Sequence, residues 1–163
     1  MKTIYIAAGC FWGVQEYYKR LKGVVETEVG YANGDSANPK YEDLKHHTAS
    51  HAETVKVVYD EKTIALEKIL EHFLRIVDPY SVDRQGGDVG HQYRTGVYYV
   101  DKADGKKIKE YFAVISNSEK FAVELLPLRN FYTAEEYHQN YLTANPHGYC
   151  HINFSLIKPN EKK

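Results

Sequence analysis

A cysteine, Cys10, stands where a short apolar run ends and a helical spacing of apolar residues begins. The first turn of a helix offers unpaired backbone N–H groups and the positive end of the helix dipole. A thiol placed there is expected to ionise below its free value of about 8.5. Gly9 and Gly13 flank Cys10 at close range and permit close backbone approach, while Phe11 and Trp12 can wall a pocket beside the sulfur. Cys10 is therefore the candidate nucleophile. Cys150 is the only other cysteine, and two cysteines in a chain of 163 residues make no disulfide framework. Any bridge between them is expected to be catalytic rather than structural.

Two long polar loops, residues 32–50 and 78–93, carry tyrosines and carboxylates, and loops of such length in a compact domain are usually functional. Glu53 heads a strand pattern just after the first loop, where a catalytic carboxyl and a solvated edge carboxylate are equally good readings.

The elements that must position these residues read as strand (3–8), helix (11–21), strand (24–31), strand (53–59), helix (63–77) and strand (95–101). The second helix is the clearest, with Leu66, Ile69, Leu70, Phe73, Leu74 and Val77 on one face and Pro79 beyond its end. A further helix (103–116), a strand (121–126), a short helix (134–142) and an irregular tail follow. The β-α-β-β-α-β order predicts an α+β fold, a ferredoxin-like split β-α-β sheet with helices packed on one face. The chain, 43% hydrophobic and 26% charged, is of a size for one domain spanning 1–163. With 21 basic against 22 acidic residues and no basic run before Lys162, no nucleic-acid footprint is expected. No apolar stretch suits a membrane span or a leader, so the expectation is a cytoplasmic monomer.

Five stretches, taken together, resemble the peptide methionine sulfoxide reductases of the A class. They are Gly9-Cys10-Phe11-Trp12, Gly30-Tyr31-Ala32-Asn33-Gly34, Tyr41-Glu42-Asp43, His51-Ala52-Glu53, and Gln85-Gly86-Gly87-Asp88 followed by Gln92-Tyr93-Arg94. They fall in the family's order across residues 3–150, with Ser50 in place of the family's usual glycine. The resemblance implies thiol-dependent reduction of the S epimer of methionine sulfoxide, free or in proteins, with no cofactor and no metal. It implies that Phe11 and Trp12 hold the S-methyl group, that Cys10 attacks the sulfoxide sulfur, and that Glu53 protonates its oxygen. Tyr41 and Tyr93 would donate hydrogen bonds to that oxygen, and Asp88 would orient the substrate backbone. Cys10 would be left as a sulfenic acid, and Cys150, in Gly148-Tyr149-Cys150, resembles a resolving position. Thioredoxin would then reduce the Cys10–Cys150 disulfide.

Three other readings compete. His46, His47, His51 and Glu53 form a ligand-like cluster, as in a metal protein. A cysteine hydrolase would activate Cys10 through His51, His91 or His151. A non-catalytic module would use the aromatic pocket to hold a peptide's thioether.

Overall fold

The computed structural model describes residues 1–163. Its elements are β1 (Lys2–Ala8), α1 (Phe11–Lys19), β2 (Val24–Ala32), α2 (Tyr41–Lys45), β3 (Ala52–Tyr59), α3 (Leu66–Ile76), β4 (Arg84–Gln85), β5 (Asp88–Val89), β6 (Thr95–Tyr99), α4 (Lys102–Ala113), β7 (Glu124–Pro127), β8 (Phe131–Thr133) and α5 (Tyr141–Ala144). Six strands form one sheet in the order β7-β6-β1-β3-β2-β8, antiparallel except for the β6–β7 pair, and β4 and β5 form a separate hairpin. The result is a mixed α/β architecture with a mainly antiparallel sheet.

Strand alternation sorts the side chains onto two faces. Ile4, Ile6 and Ala8 of β1, Val29 and Tyr31 of β2, Val55 and Val57 of β3, and Val97 and Tyr99 of β6 join the apolar faces of α1, α3 and α4 in one large core. α3 contributes Leu66, Ile69, Leu70 and Phe73 to it, the i, i+3, i+4, i+7 stripe that makes a helix bury one side. The opposite face holds a small cluster of Tyr5, Ala7, Ala32, Ala52 and Tyr98. Glu53 has the parity of Val55 and Val57, so alternation turns its carboxylate inward, toward the helices. It pairs with Tyr31 across the β2–β3 ladder.

Four sequence expectations are corrected. α1 and α3 are shorter than 11–21 and 63–77, and the expected loop 32–50 contains the one-turn helix α2. No continuous helix runs over 134–142. Instead the three-residue strand β8 pairs with β2, a 3-10 turn covers Glu136–His138, and α5 begins only at Tyr141. Asn140 takes a left-handed conformation, φ 53°, which breaks the helical path between the two pieces.

Candidate active site

β1 ends at Ala8, and the chain turns through Gly9 at φ +88° before α1 begins at Phe11 with Cys10 at its N-cap. A side chain at Gly9 would meet Gln85 Cβ at 2.8 Å, so only glycine allows this approach of two segments. Cys10 is buried, and its place at the head of the helix agrees with the sequence expectation. Its electrostatics do not. The thiol is pushed well above its ordinary value, first by burial and then by the nearby Glu53 charge, against which the Trp12 amide is a weaker opposing influence. Desolvation of a thiolate outweighs one turn of helix dipole.

Glu53 lies 1% exposed beneath the start of α1, and its Oε1 accepts a hydrogen bond from the Phe11 N–H at 3.2 Å. Burial raises its pKa to about 8, the Phe11 hydrogen bond offsetting part of the rise. The carboxyl is thus protonated at neutral pH, and the charge that hinders Cys10 ionisation is then absent.

Tyr41 opens α2 and Tyr93 closes a 3-10 turn, His91–Tyr93, and both phenols are raised in pKa by burial and next by Glu53. Both stay protonated at neutral pH and are available as donors. Arg94, 8% exposed, ties the two loops together. Its guanidinium donates to the Ser50 carbonyl at 2.8 Å and the Asn33 carbonyl at 3.2 Å, and to Glu124 at 2.9 Å. Gln85 pins the second loop to the end of α3 through a reciprocal pair of hydrogen bonds with the Asp78 backbone, 2.8 and 2.9 Å.

Phe11 is fully buried against Tyr31, while Trp12 is partly open. The Trp12 indole stacks on Tyr141, ring centres 3.8 Å apart and planes 15° from parallel, and its Nε1–H donates to His138 Nδ1 at 3.0 Å. His138 therefore carries any neutral-state proton on Nε2. Glu135 is the other residue that sequence reasoning missed. Its Oε2 accepts from the Tyr41 N–H at 3.1 Å and its Oε1 from the Tyr31 hydroxyl at 2.8 Å. It thereby fixes both the tyrosine at the head of α2 and the ring behind Phe11. Only the density of polar groups in 134–142 hinted at these two.

Asp88, in β5, accepts from the Tyr149 hydroxyl at 3.1 Å, and the two thiols are free. The Cys150 sulfur packs over α1, 2.6 Å from where a Cβ at Gly13 would stand. Gly13 is one turn beyond Cys10, so the segment carrying Cys150 lies along the same helix. Burial raises the Cys150 thiol as well. Of the three histidines weighed as activators of Cys10, His51 packs on Gly34 and Tyr132 and His91 pairs with Asp83 at 3.1 Å; His151 alone packs against Gly9. The metal reading has no geometry behind it, since no three histidine, cysteine or carboxylate side chains converge. His46 and His47 are exposed, with His46 facing Glu42 at 3.2 Å.

The site so built combines a thiol, a protonated carboxyl and an aromatic wall. The sequence profile of the peptide methionine sulfoxide reductases matches residues 2–163. The chain belongs to that family. It is an oxidoreductase acting on methionine sulfoxide. A relative from Ureaplasma urealyticum serovar 10, peptide methionine sulfoxide reductase MsrA, is 49% identical over 160 residues, 97% of each chain. Among solved structures, reduced Mxr1 from Saccharomyces cerevisiae superposes with a TM-score of 0.85 at 39% identity, covering 91% of this chain and 88% of the yeast one. Mxr1 in complex with Trx2 matches at TM-score 0.60 and 30% identity, covering 86% and 84%. No helix here is long and apolar enough to cross a membrane.

Proposed function

We propose that this chain reduces the S epimer of methionine sulfoxide, free or in proteins, with Cys10 as nucleophile and Glu53 as the acid. The observation that carries the reading is the enclosed Glu53 carboxyl, bonded to the amide next to Cys10 and still protonated at neutral pH. The substrate's methyl group sits against Phe11 and Trp12, and its oxygen is met by Glu53, Tyr41 and Tyr93. As the Cys10 sulfur bonds to the sulfoxide sulfur, Glu53 gives its proton to the oxygen and recovers the one the thiol gives up. The oxygen then passes to Cys10, methionine leaves, and a sulfenic acid remains. A high thiol pKa is compatible with this route, because deprotonation is coupled to attack. Asp88 with Tyr149 orients the substrate's main chain.

Cys150 then closes a disulfide with Cys10, and thioredoxin reduces it, a step supported by the Trx2 complex of the yeast relative. The setting is repair of oxidised methionine in the cytoplasm by a monomer forming one reductase domain. The strand order β6-β1-β3-β2, with β1-α1-β2 and β3-α3-β6 as interleaved units, supports the reading of a ferredoxin-like split β-α-β core. The test is turnover on separated epimers. A strong preference for the S sulfoxide is expected, because only one epimer puts its methyl on Trp12 while its oxygen meets Glu53. Equal rates on both overturn the proposed pose.

A further inference from the structure

His151 is a buried titratable side chain beside the site that sulfoxide reduction leaves without a task. Its side chain is only 9% exposed, yet neither ring nitrogen makes a well-formed hydrogen bond, the Asp88 carboxylate and the Ala8 carbonyl acting on the ring without good geometry. Buried polar groups are nearly always partnered, so an orphaned imidazole calls for an explanation. The ring fills a slot between two glycines in the left-handed region. A Cβ at Gly9 would stand 3.3 Å from its Cε1, and one at Gly86 would stand 3.4 Å from its Cβ. Gly9 precedes Cys10 and His151 follows Cys150, so the ring lies where the segments bearing the two thiols meet. Its Nδ1 is 3.6 Å from Oδ2 of Asp88.

We propose that His151, paired with Asp88, carries the proton in the step that joins Cys150 to the Cys10 sulfenic acid. The inference rests on the reading of Cys150 as the resolving thiol. The neutral imidazole takes the Cys150 thiol proton, and the Cys150 sulfur bonds to the Cys10 sulfur. The Cys10 S–O bond breaks, and the leaving hydroxide takes the proton from the imidazolium and departs as water. Cys150 sulfur is oxidised and Cys10 sulfur reduced, both ending at the disulfide level, so no outside oxidant or reductant enters. His151 ends as it began.

The surroundings suit this cycle. Burial holds the imidazole below its ordinary value of 6.5, with the Asp88 charge and then the Ala8 carbonyl acting against it, so it is neutral and ready to accept a proton at pH 7. Cys150 has its thiol raised by burial and needs a base. Asp88 of the hairpin is the titratable group that acts on the ring; Tyr149 and Cys150 precede His151 in the chain, and Gly9, against which the ring packs, precedes Cys10. Asp88 favours the imidazolium, and a carboxylate behind an imidazole is the usual way to hold a transient positive charge.

The experiment is rapid mixing of the reduced protein with S-methionine sulfoxide and no reductant, following from pH 5 to 8.5 methionine release, which consumes the Cys10 thiol, and separately the loss of the second thiol, that of Cys150. In wild type, thiol loss is expected to rise with pH through the imidazole titration. In His151→Gln, thiol loss slows by roughly 10²-fold relative to methionine release, and that rising limb disappears. Asp88→Asn is expected to shift the limb to lower pH. Thiol loss in His151→Gln at the wild-type rate and with the wild-type profile overturns the proposal. So does an equal slowing of both steps with the limb intact, which marks a purely structural residue. Should the variant fail to fold, an Asp88→Asn profile of thiol loss that coincides with that of wild type overturns it equally. Wild type that releases methionine but forms no intramolecular disulfide, behaving like Cys150→Ser, refutes the resolving role of Cys150 itself.

Discussion

Replacing Glu53 by glutamine is expected to strengthen the fold while it cripples the chemistry. The Glu53 carboxyl titrates at about 8 in the fold and at 4.5 in an open chain. Between those values the folded protein holds a proton that the unfolded chain has released. The stability linked to Glu53 is complete below pH 4.5, falls as pH rises, and levels off above about 8. At about 1.4 kcal/mol per pH unit, roughly 3 kcal/mol is missing at pH 7. The glutamine amide does not titrate, and its oxygen can still accept from the Phe11 N–H. Urea unfolding of reduced wild type and Glu53→Gln should therefore diverge in favour of the variant, by about 3 kcal/mol between pH 5 and pH 8. In the same preparations, methionine release in a single turnover should slow by roughly 10²–10⁴-fold, the range for loss of a general acid. Wild-type release should itself decline as pH passes about 8 and Glu53 loses its proton. A stability difference that is flat with pH refutes the reasoning, because Glu53 would then ionise as an ordinary solvated carboxylate. Near-wild-type release moves the acid to Tyr41 or Tyr93.

Glu135→Gln should slow methionine release by about 10-fold, since an amide cannot accept from both the Tyr41 N–H and the Tyr31 hydroxyl at a net cost of about 1 kcal/mol per lost bond. In a Tyr41→Phe background most of that effect should vanish, and full additivity of the two rate losses argues against positioning through Tyr41. Gly13→Ala drives a Cβ into the Cys150 sulfur, so disulfide formation after sulfoxide reduction should slow by about 10-fold, read by thiol titration. Gly34→Ala overlaps the His51 ring and should cost about 1–3 kcal/mol in urea unfolding, which identifies the Gly30 to Gly34 stretch as a packing motif.

The start of α1 was legible because Gly9 and Cys10 interrupt an apolar run that is followed at once by helical spacing. The stripe on α3 was legible for the same reason. What escaped was set at long range. The raised Cys10 pKa comes from burial and from Glu53, a residue on β3 that no local reading around Cys10 contains. β8 has three residues and exists because β2 offers an edge to pair with. The expected helix over 134–142 fails at Asn140, whose backbone N–H is held by Gln15 Oε1 at 2.8 Å, a tertiary contact stronger than the helix propensity of the segment. Glu135 and His138 acquire meaning only once that segment lies against Tyr41 and Trp12.

The order in which the chain is made adds a consequence. Cys10, Phe11 and Trp12 are synthesised well before His138, Tyr141, Tyr149 and His151, which pack against or beside them. β1 itself sits between β3 and β6, so it can be paired on one side once Tyr59 has been made and on both only after residues near Tyr98. A nascent chain thus carries the Cys10 thiol and the Trp12 indole without the side chains of residues 138–151 that pack against or beside them until those residues have been made, at about 5–20 residues per second. Cys10 gains the last of its enclosure, and with it the full rise in pKa that keeps it from ionising, when residues 138–151 fold back over α1. During synthesis the thiol is most open to stray oxidation before it has any work to do.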